Sequence, residues 1–389
     1  MDLSAVRVLD LTQLLPGPYA TQLLRDMGAE VIKIEHPDGE PGRRFGDGEI
    51  DRGTSPLFDV VNRGKRSVTI DLKSDAGRNV FLNLTRDVDV VIEQFRPGVV
   101  DRLGIGYDAV RAENESIVYC SVSGYGQTGP YSDRVGHDLN YAGVAGLVDM
   151  TRPDPEADPV IPGFPVADMA GGFAAALSVV SALLSRELGD GGGEYLDVAM
   201  TDAVLSLSQL VSGPAMAGIE QRPGETVITG KYPCYDVYEC ADGEYVTVAA
   251  LEPGFWEAFC TAVGREDLID VHMADDEATR ERVRSELAGL FGERTREGWL
   301  DELGDLEAMV GPVNTVEEAF DDPHIRARSV VQDVDGMIRR AGFPAKGTDA
   351  PGPTDEPAPA LGEHTEDVLR ETGYTEAEIT DLRADGVVW

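Results

Sequence analysis

His137 and Asp168 are the two side chains in this sequence whose type and setting suit proton transfer. An imidazole titrates near neutrality, and a carboxyl in apolar surroundings has its pKa raised toward the same range. His137 stands between Gly136 and Asp138 at the end of the Gly- and Pro-punctuated loop SGYGQTGPYSDRVGHD, just before the apolar segment Leu139 to Leu147. Asp168 lies in FPVADMAGG and opens the long apolar run Phe173 to Leu184. Each position also has a purely structural reading. A histidine at a helix start can hydrogen-bond locally, and an Asp in a first helical turn is a favoured capping residue. Glu252, in AALEPGFW, is a third acidic candidate, with the alternative of a turn residue before Pro253.

The elements that must position these residues read as an α/β protein. Val6 to Leu11 is expected to be a buried strand, Pro16 to open a helix through Met27, and Glu30 to Glu35 to form a second strand. Val68 to Leu72, a helix over Ala76 to Arg86, and Val88 to Glu93 repeat the pattern, and Ile117 to Val122 adds a strand ahead of the His137 loop. This alternation predicts a large domain over residues 1–210 with a parallel, helix-covered, Rossmann-like sheet. The first turn is LLPGPYA rather than G-x-G-x-x-G, so no dinucleotide site is expected. Residues 168–210 read as helical with one interruption, GDGGGEY. A smaller α+β domain is expected over 226–330, starting with the alternating strands of YDVYECADGEYVTVAAL and their turn at Asp242 and Gly243. Residues 331–389 read as a Pro- and Gly-rich linker followed by two short terminal helices, HTEDVLRETG and TEAEITDLRADG.

Composition excludes several classes. Acidic residues outnumber basic ones 71 to 33, for a formal charge of −38, a surface that repels nucleic acid and anionic membranes. Only five of the basic residues are lysine, and the acidic excess reads as adaptation of a solvated, halophilic surface to high salt. Cys120, Cys234, Cys240 and Cys260 have neither C-x-x-C spacing nor metal-ligand neighbours, so reduced thiols and no metal site are expected. With no signal-like N-terminus and no apolar run judged to reach membrane-spanning length, the expectation is a cytoplasmic protein.

The segments VLDLTQLLPGPYATQLLRDMGAEVIKIEHP, NRGKRSVTIDLK, FRPGVVDRLGIGYD, SGYGQTGP, GHDLNYAGVAG, ADMAGG, ADGEYVTVAALEPGFW and DDPHIRAR, in this order, resemble CoA-transferase family III (CaiB/BaiF-like), and within it the α-methylacyl-CoA racemase branch. The transferase branch usually carries an aromatic residue where this chain has His137. The resemblance implies an interlocked homodimer whose C-terminal segment returns to the large domain, an acyl-CoA substrate, and no cofactor beyond its CoA moiety. It implies His137 and Asp168 as the two bases on either side of an α-carbon, with Glu252 orienting the histidine. Backbone N–H groups at the start of the helix after Asp168 are the expected enolate donors. CoA phosphates need cations, and the cluster Asn62, Arg63, Gly64, Lys65, Arg66 stands out from the acidic background. Arg43, Arg44 and Arg102 are further candidates for CoA, as is Tyr141. The competing activity is CoA transfer between carboxylic acids through an aspartyl-CoA thioester on Asp168.

Overall fold

Residues 2–46, 48, 50, 53–189, 192–304, 306–348, 352 and 354–389 are described by a computed structural model. The chain divides into two compact units. The first comprises Met1–Leu147, Pro162–Ser208 and His324–Trp389, the second Val148–Ile161 and Gln209–Pro323. Residues 148–161, read from sequence as part of the large domain, therefore belong to the second unit.

In the first unit, strands β1 (Arg7–Leu11), β2 (Glu30–Glu35), β3 (Arg66–Thr69), β4 (Val90–Glu93), β5 (Val118–Ser123) and β6 (Glu194–Ala199) form one sheet in the order β3-β2-β1-β4-β5-β6. Every pairing is parallel. Helices α1 (Pro16–Asp26), α2 (Pro56–Val61), α3 (Asp75–Leu84), α4 (Val99–Leu103), α5 (Tyr107–Glu113), α6 (Asp138–Val144) and α7 (Val166–Leu188) make the crossovers, and α8 (Met200–Ser206) follows β6. The helix starts follow from local chemistry: Pro16 and Pro56 stand at first-turn positions, and the hydroxyls of Ser55 and Ser74 accept from the backbone N–H groups of Phe58 and Gly77. Val8, Leu9, Val90, Val91, Val118 and Cys120 are fully buried, as the continuous apolar runs of a covered parallel sheet require.

Three details depart from the sequence reading. β3 begins at Arg66, two residues before Val68. The interruption after α7 holds a sixth strand, β6, missed because it is an edge strand with exposed Glu194, Tyr195 and Asp197. The third is α7, whose 23 residues are long and apolar enough to span a membrane by length and composition. It packs on α1, α8, β5 and β6, and Ala167, Ala175 and Val179 are fully buried. Small residues interleaved with larger ones had made the apolar run look shorter than the helix.

The second unit contains α9 (Gln209–Met216), the antiparallel sheet of β7 (Tyr235–Glu239), β8 (Tyr245–Ala249) and β9 (Val310–Pro312), and helices α10 (Pro253–Ala262), α11 (Glu277–Phe291), α12 (Arg296–Leu303) and α13 (Val316–Asp321). Its core is aromatic, with Trp256, Phe259, Phe291 and Trp299 packed together.

The chain then re-enters the first unit through α14 (Pro323–Ala327), β10 (Val331–Gln332), β11 (Arg340–Ala341), α15 (Thr365–Glu371) and α16 (Glu376–Ala384). This C-terminal segment docks on the free edge of β3. His364 N donates to Ser67 O at 2.9 Å, Ser67 N to His364 Nδ1 at 3.2 Å and Thr69 N to Thr365 Oγ1 at 3.1 Å. Val368, Leu369, Ile379, Val387 and Val388 join the core formed by Leu9, Ile32, Val68 and Phe81.

Candidate active site

The strand order reverses between β1 and β4, and in open parallel sheets ligands settle in the crevice beyond the carboxyl ends of such strands. A cavity of about 530 Å3 lies there. Its walls come from the loop after β1 (Gln13, Leu14, Pro16), the loop after β4 (Gln94, Phe95, Arg96, Pro97), the loop after β5 (Gly124, Tyr125, Ser132, Arg134, His137), Asn140 and Tyr141 of α6, Asp168 of α7 and Met200 of α8. His137 and Asp168 thus face one cavity.

His137 immediately precedes α6, its backbone N–H donating to Asn140 Oδ1 at 3.0 Å and its side chain exposed. The Tyr141 ring lies directly on the loop: a Cβ added at Gly124 or Gly136 would come within 2.2 or 2.8 Å of it. Its hydroxyl donates to Gly136 O. Tyr125 meets Tyr141 and Tyr131 edge-on at 5.0 and 5.7 Å, and the Arg134 guanidinium sits 3.6 Å over Tyr131.

Asp168 occupies the first turn of α7, half-buried. Burial is the main cause, and the neighbouring Asp138 carboxylate the second, of a pKa raised to about 7. Asp138 also binds this turn directly. Its Oδ1 accepts from Ala167 N at 2.7 Å and Asp168 N at 3.0 Å, so the residue next to His137 fixes the backbone that carries Asp168. Met169 N donates to Pro165 O. The backbone donors expected to hold an enolate at this helix start are therefore already committed.

Glu93 at the end of β4 is a second buried carboxyl. Burial pushes it up to about 7 against the hydrogen bonds of Ser121 and Phe95 N. Since its folded pKa is raised, its stabilising contribution is complete below about pH 4.5 and is lost as pH rises through about 7. Glu93→Gln should escape that loss. Its melting temperature relative to the parent is expected to rise between pH 5 and pH 8, by the equivalent of roughly 3 kcal/mol at most; a constant difference across that range in thermal melts would refute the assignment.

The sequence matches the model of CoA-transferase family III over residues 3–365. This chain belongs to CoA-transferase family III. It is 32% identical to α-methylacyl-CoA racemase of Mus musculus, covering 100% of this chain and 98% of the relative. It is 37% identical to succinyl-CoA:mesaconate CoA-transferase of Haloarcula hispanica, covering 95% and 96%. A crystal structure of a CAIB/BAIF family protein from Brucella suis superposes with a TM-score of 0.83 at 30% identity, covering 95% of this chain and 99% of that one. Family III relatives thus include both racemases and transferases, and the chain is an enzyme of this family acting on acyl-CoA.

Several of the cations expected to meet CoA are engaged within the first unit. Lys65, Asn62 and Arg43 are buried and committed inside the first unit. Lys65 Nζ donates to Asp10 Oδ2 at 3.0 Å, Thr21 Oγ1 at 2.7 Å and Asn62 Oδ1 at 2.9 Å. Arg43 pairs with Glu35 at 2.6 Å, and Arg63, fully buried, with Asp59. Arg66 bonds Glu30 and Glu371 at the amino edge of β3, whereas the cavity lies at the carboxyl edge of the sheet. The side chains of Asn62, Arg63, Lys65 and Arg66 are thus all engaged by groups of the first unit. Arg44 and Arg102 are exposed, Arg44 reaching Asp38 O at 3.4 Å and Arg102 lying beside Gly98 next to the cavity loop. Tyr141 lines the cavity. Glu252 lies in the second unit as the residue capping α10, its backbone carbonyl accepting from Phe255 and Trp256.

Sequence reasoning missed Arg96, Arg134, Gln13 and Gln94 as cavity residues and Asp138 as the tie between the two candidate bases. Arg96, in FRPG directly after β4, was findable from the rule that ligands gather beyond the carboxyl ends of parallel strands. Arg96 and Arg134 line the cavity and carry no ion pair among the described residues.

Proposed function

We propose that the protein racemises 2-methylacyl-CoA thioesters by removing and returning the proton at the α-carbon. The observation that carries this reading is the pairing, on one cavity, of an imidazole with a carboxyl whose pKa lies near 7. At neutral pH Asp168 can then both take and give a proton, as a two-base reaction demands of each partner. One group takes the α-proton, the electron pair delocalises onto the thioester oxygen as an enolate, and the other group protonates the opposite face. The orienting role of Glu252 rests on the resemblance alone. The CoA phosphates are assigned to Arg96 and Arg134.

CoA transfer is the second reading, favoured by the 37% identity to the Haloarcula hispanica transferase. It needs Asp168 ionised as a nucleophile that attacks the acyl-CoA carbonyl. One assay separates the two. In deuterated water with a chiral 2-methylacyl-CoA and a free carboxylic acid, α-deuteration with inversion supports racemisation, whereas acyl exchange without it overturns it.

Asp138→Asn provides a pH test. The amide oxygen can still accept from Ala167 and Asp168, but the charge that helps raise the Asp168 pKa is gone. In the direction where Asp168 is the base, the rate rises with pH through its pKa, so that limb should move to lower pH. An unmoved limb in the pH–rate profile would remove Asp138 from this role.

We also propose a homodimer. Phe173, Leu177, Leu184 and Leu188 form an exposed apolar stripe on α7, which suits a face covered by a second copy. Light scattering in concentrated salt should give twice the chain mass; a monomer would refute it.

A further inference from the structure

The loop between β1 and α1 is held in an unfavourable shape by charges buried behind it. Leu14 has φ +62°, a left-handed conformation that costs an ordinary L residue on the order of 1–2 kcal/mol. Three side chains from other segments pin the loop. Lys33 Nζ donates to Thr12 O at 2.8 Å, the Glu40 carboxylate accepts from Leu14 N at 3.0 Å, and Gln94 Oε1 accepts from Gly17 N at 3.0 Å. Glu40 is itself held by Gly42 N at 2.6 Å and by Lys33 at 3.5 Å. Gly17 packs directly against this loop, since a Cβ there would lie 2.3 Å from the Thr12 side chain.

The lock leaves one side chain uncommitted. Gln13 lines the cavity, half-buried, and its carboxamide has no hydrogen-bond partner among the described residues, unlike that of Gln94. Its amide, with both a donor and an acceptor, is thus free to meet a ligand that enters the cavity.

We propose that Gln13 hydrogen-bonds a neutral polar group of the acyl-pantetheine part of the substrate, and that Glu40 is the positioning residue that presents it by holding Leu14. This rests on the cavity being the acyl-CoA site, but not on which reaction occurs there. The phosphates have Arg96 and Arg134, and a neutral carboxamide is better matched to the amides and thioester carbonyl of the arm.

The test measures binding of acyl-CoA and of the corresponding acyl-pantetheine, together with KM and kcat. Gln13→Leu should weaken both ligands by the same factor, about five- to tenfold. Glu40→Ala should raise KM comparably, and adding Gln13→Leu to it should cost little more, because the amide is already misplaced. Adding Leu14→Gly to Glu40→Ala should restore KM, since glycine adopts the left-handed conformation unaided. A merely structural Glu40 would lower the melting temperature without this non-additivity or rescue. Unchanged binding in Gln13→Leu, or a loss seen with acyl-CoA alone, overturns the proposal. If Glu40→Ala does not fold, Glu40→Gln and Leu14→Gly carry the same comparison. Failure of the parent enzyme to bind acyl-CoA would instead refute the functional reading.

Discussion

Replacing His137 by Ala is expected to abolish inversion at the α-carbon, and replacing Asp168 by Ala to do the same, each by a factor of about 10²–10⁴. Inversion needs one group as base and the other as acid, so losing either stops it in both directions. Exchange of the α-proton with solvent behaves differently. A variant without His137 can still deprotonate one enantiomer through Asp168, and a variant without Asp168 can deprotonate the other. Deuterium washout from pure R and pure S substrates should therefore become lopsided in opposite senses. Symmetric residual washout in either variant would contradict the two-base assignment. A transferase gives another pattern: Asp168→Ala eliminates acyl exchange while His137→Ala retains most of it.

The second large effect concerns stability. Asp10, Lys33 and Lys65 have side chains wholly shielded from solvent. Burial alone would raise the Asp10 pKa, but the two ammonium groups and the Thr12 and Thr21 hydroxyls outweigh it and hold the carboxyl at about 2. Its folded pKa is depressed, so its contribution is present above about pH 4 and is lost as pH falls through about 2. Asp10→Asn leaves two buried cations short of a partner, and the expected loss at neutral pH is roughly 3–5 kcal/mol. Adding Lys65→Met should recover much of it. Denaturant unfolding measures both; an Asp10→Asn variant within about 0.5 kcal/mol of the parent would show that Glu35 and Glu40 suffice for both lysines.

How much of this was legible in the sequence depends on what each residue answers to. The strands β1, β2, β4 and β5 announce themselves as apolar runs because both faces of a parallel sheet are covered. His137 and Asp168 were findable because loop chemistry and helix-start chemistry are local. The arginines and lysines were not. Lys65 and Arg96 look alike on paper, and only the chain's folding decides that one meets Asp10 in the interior while the other faces the cavity. β6 escaped for a related reason: an edge strand alternates polar and apolar residues, and Glu194 to Ala199 was masked by the glycines before it.

The docking of residues 364–388 on β3 has a consequence for how the protein is made. Until the ribosome has released α15, α16 and Val388, the β3 edge lacks its hydrogen-bonding partners and the core around Leu9 and Phe81 lacks a wall. The second unit, by contrast, has all of its segments once residue 323 has emerged. The order of completion during synthesis is thus inverted: the part begun first is finished last. At elongation rates of about 5–20 residues per second, the open edge persists for many seconds, long enough to need shielding from other nascent chains.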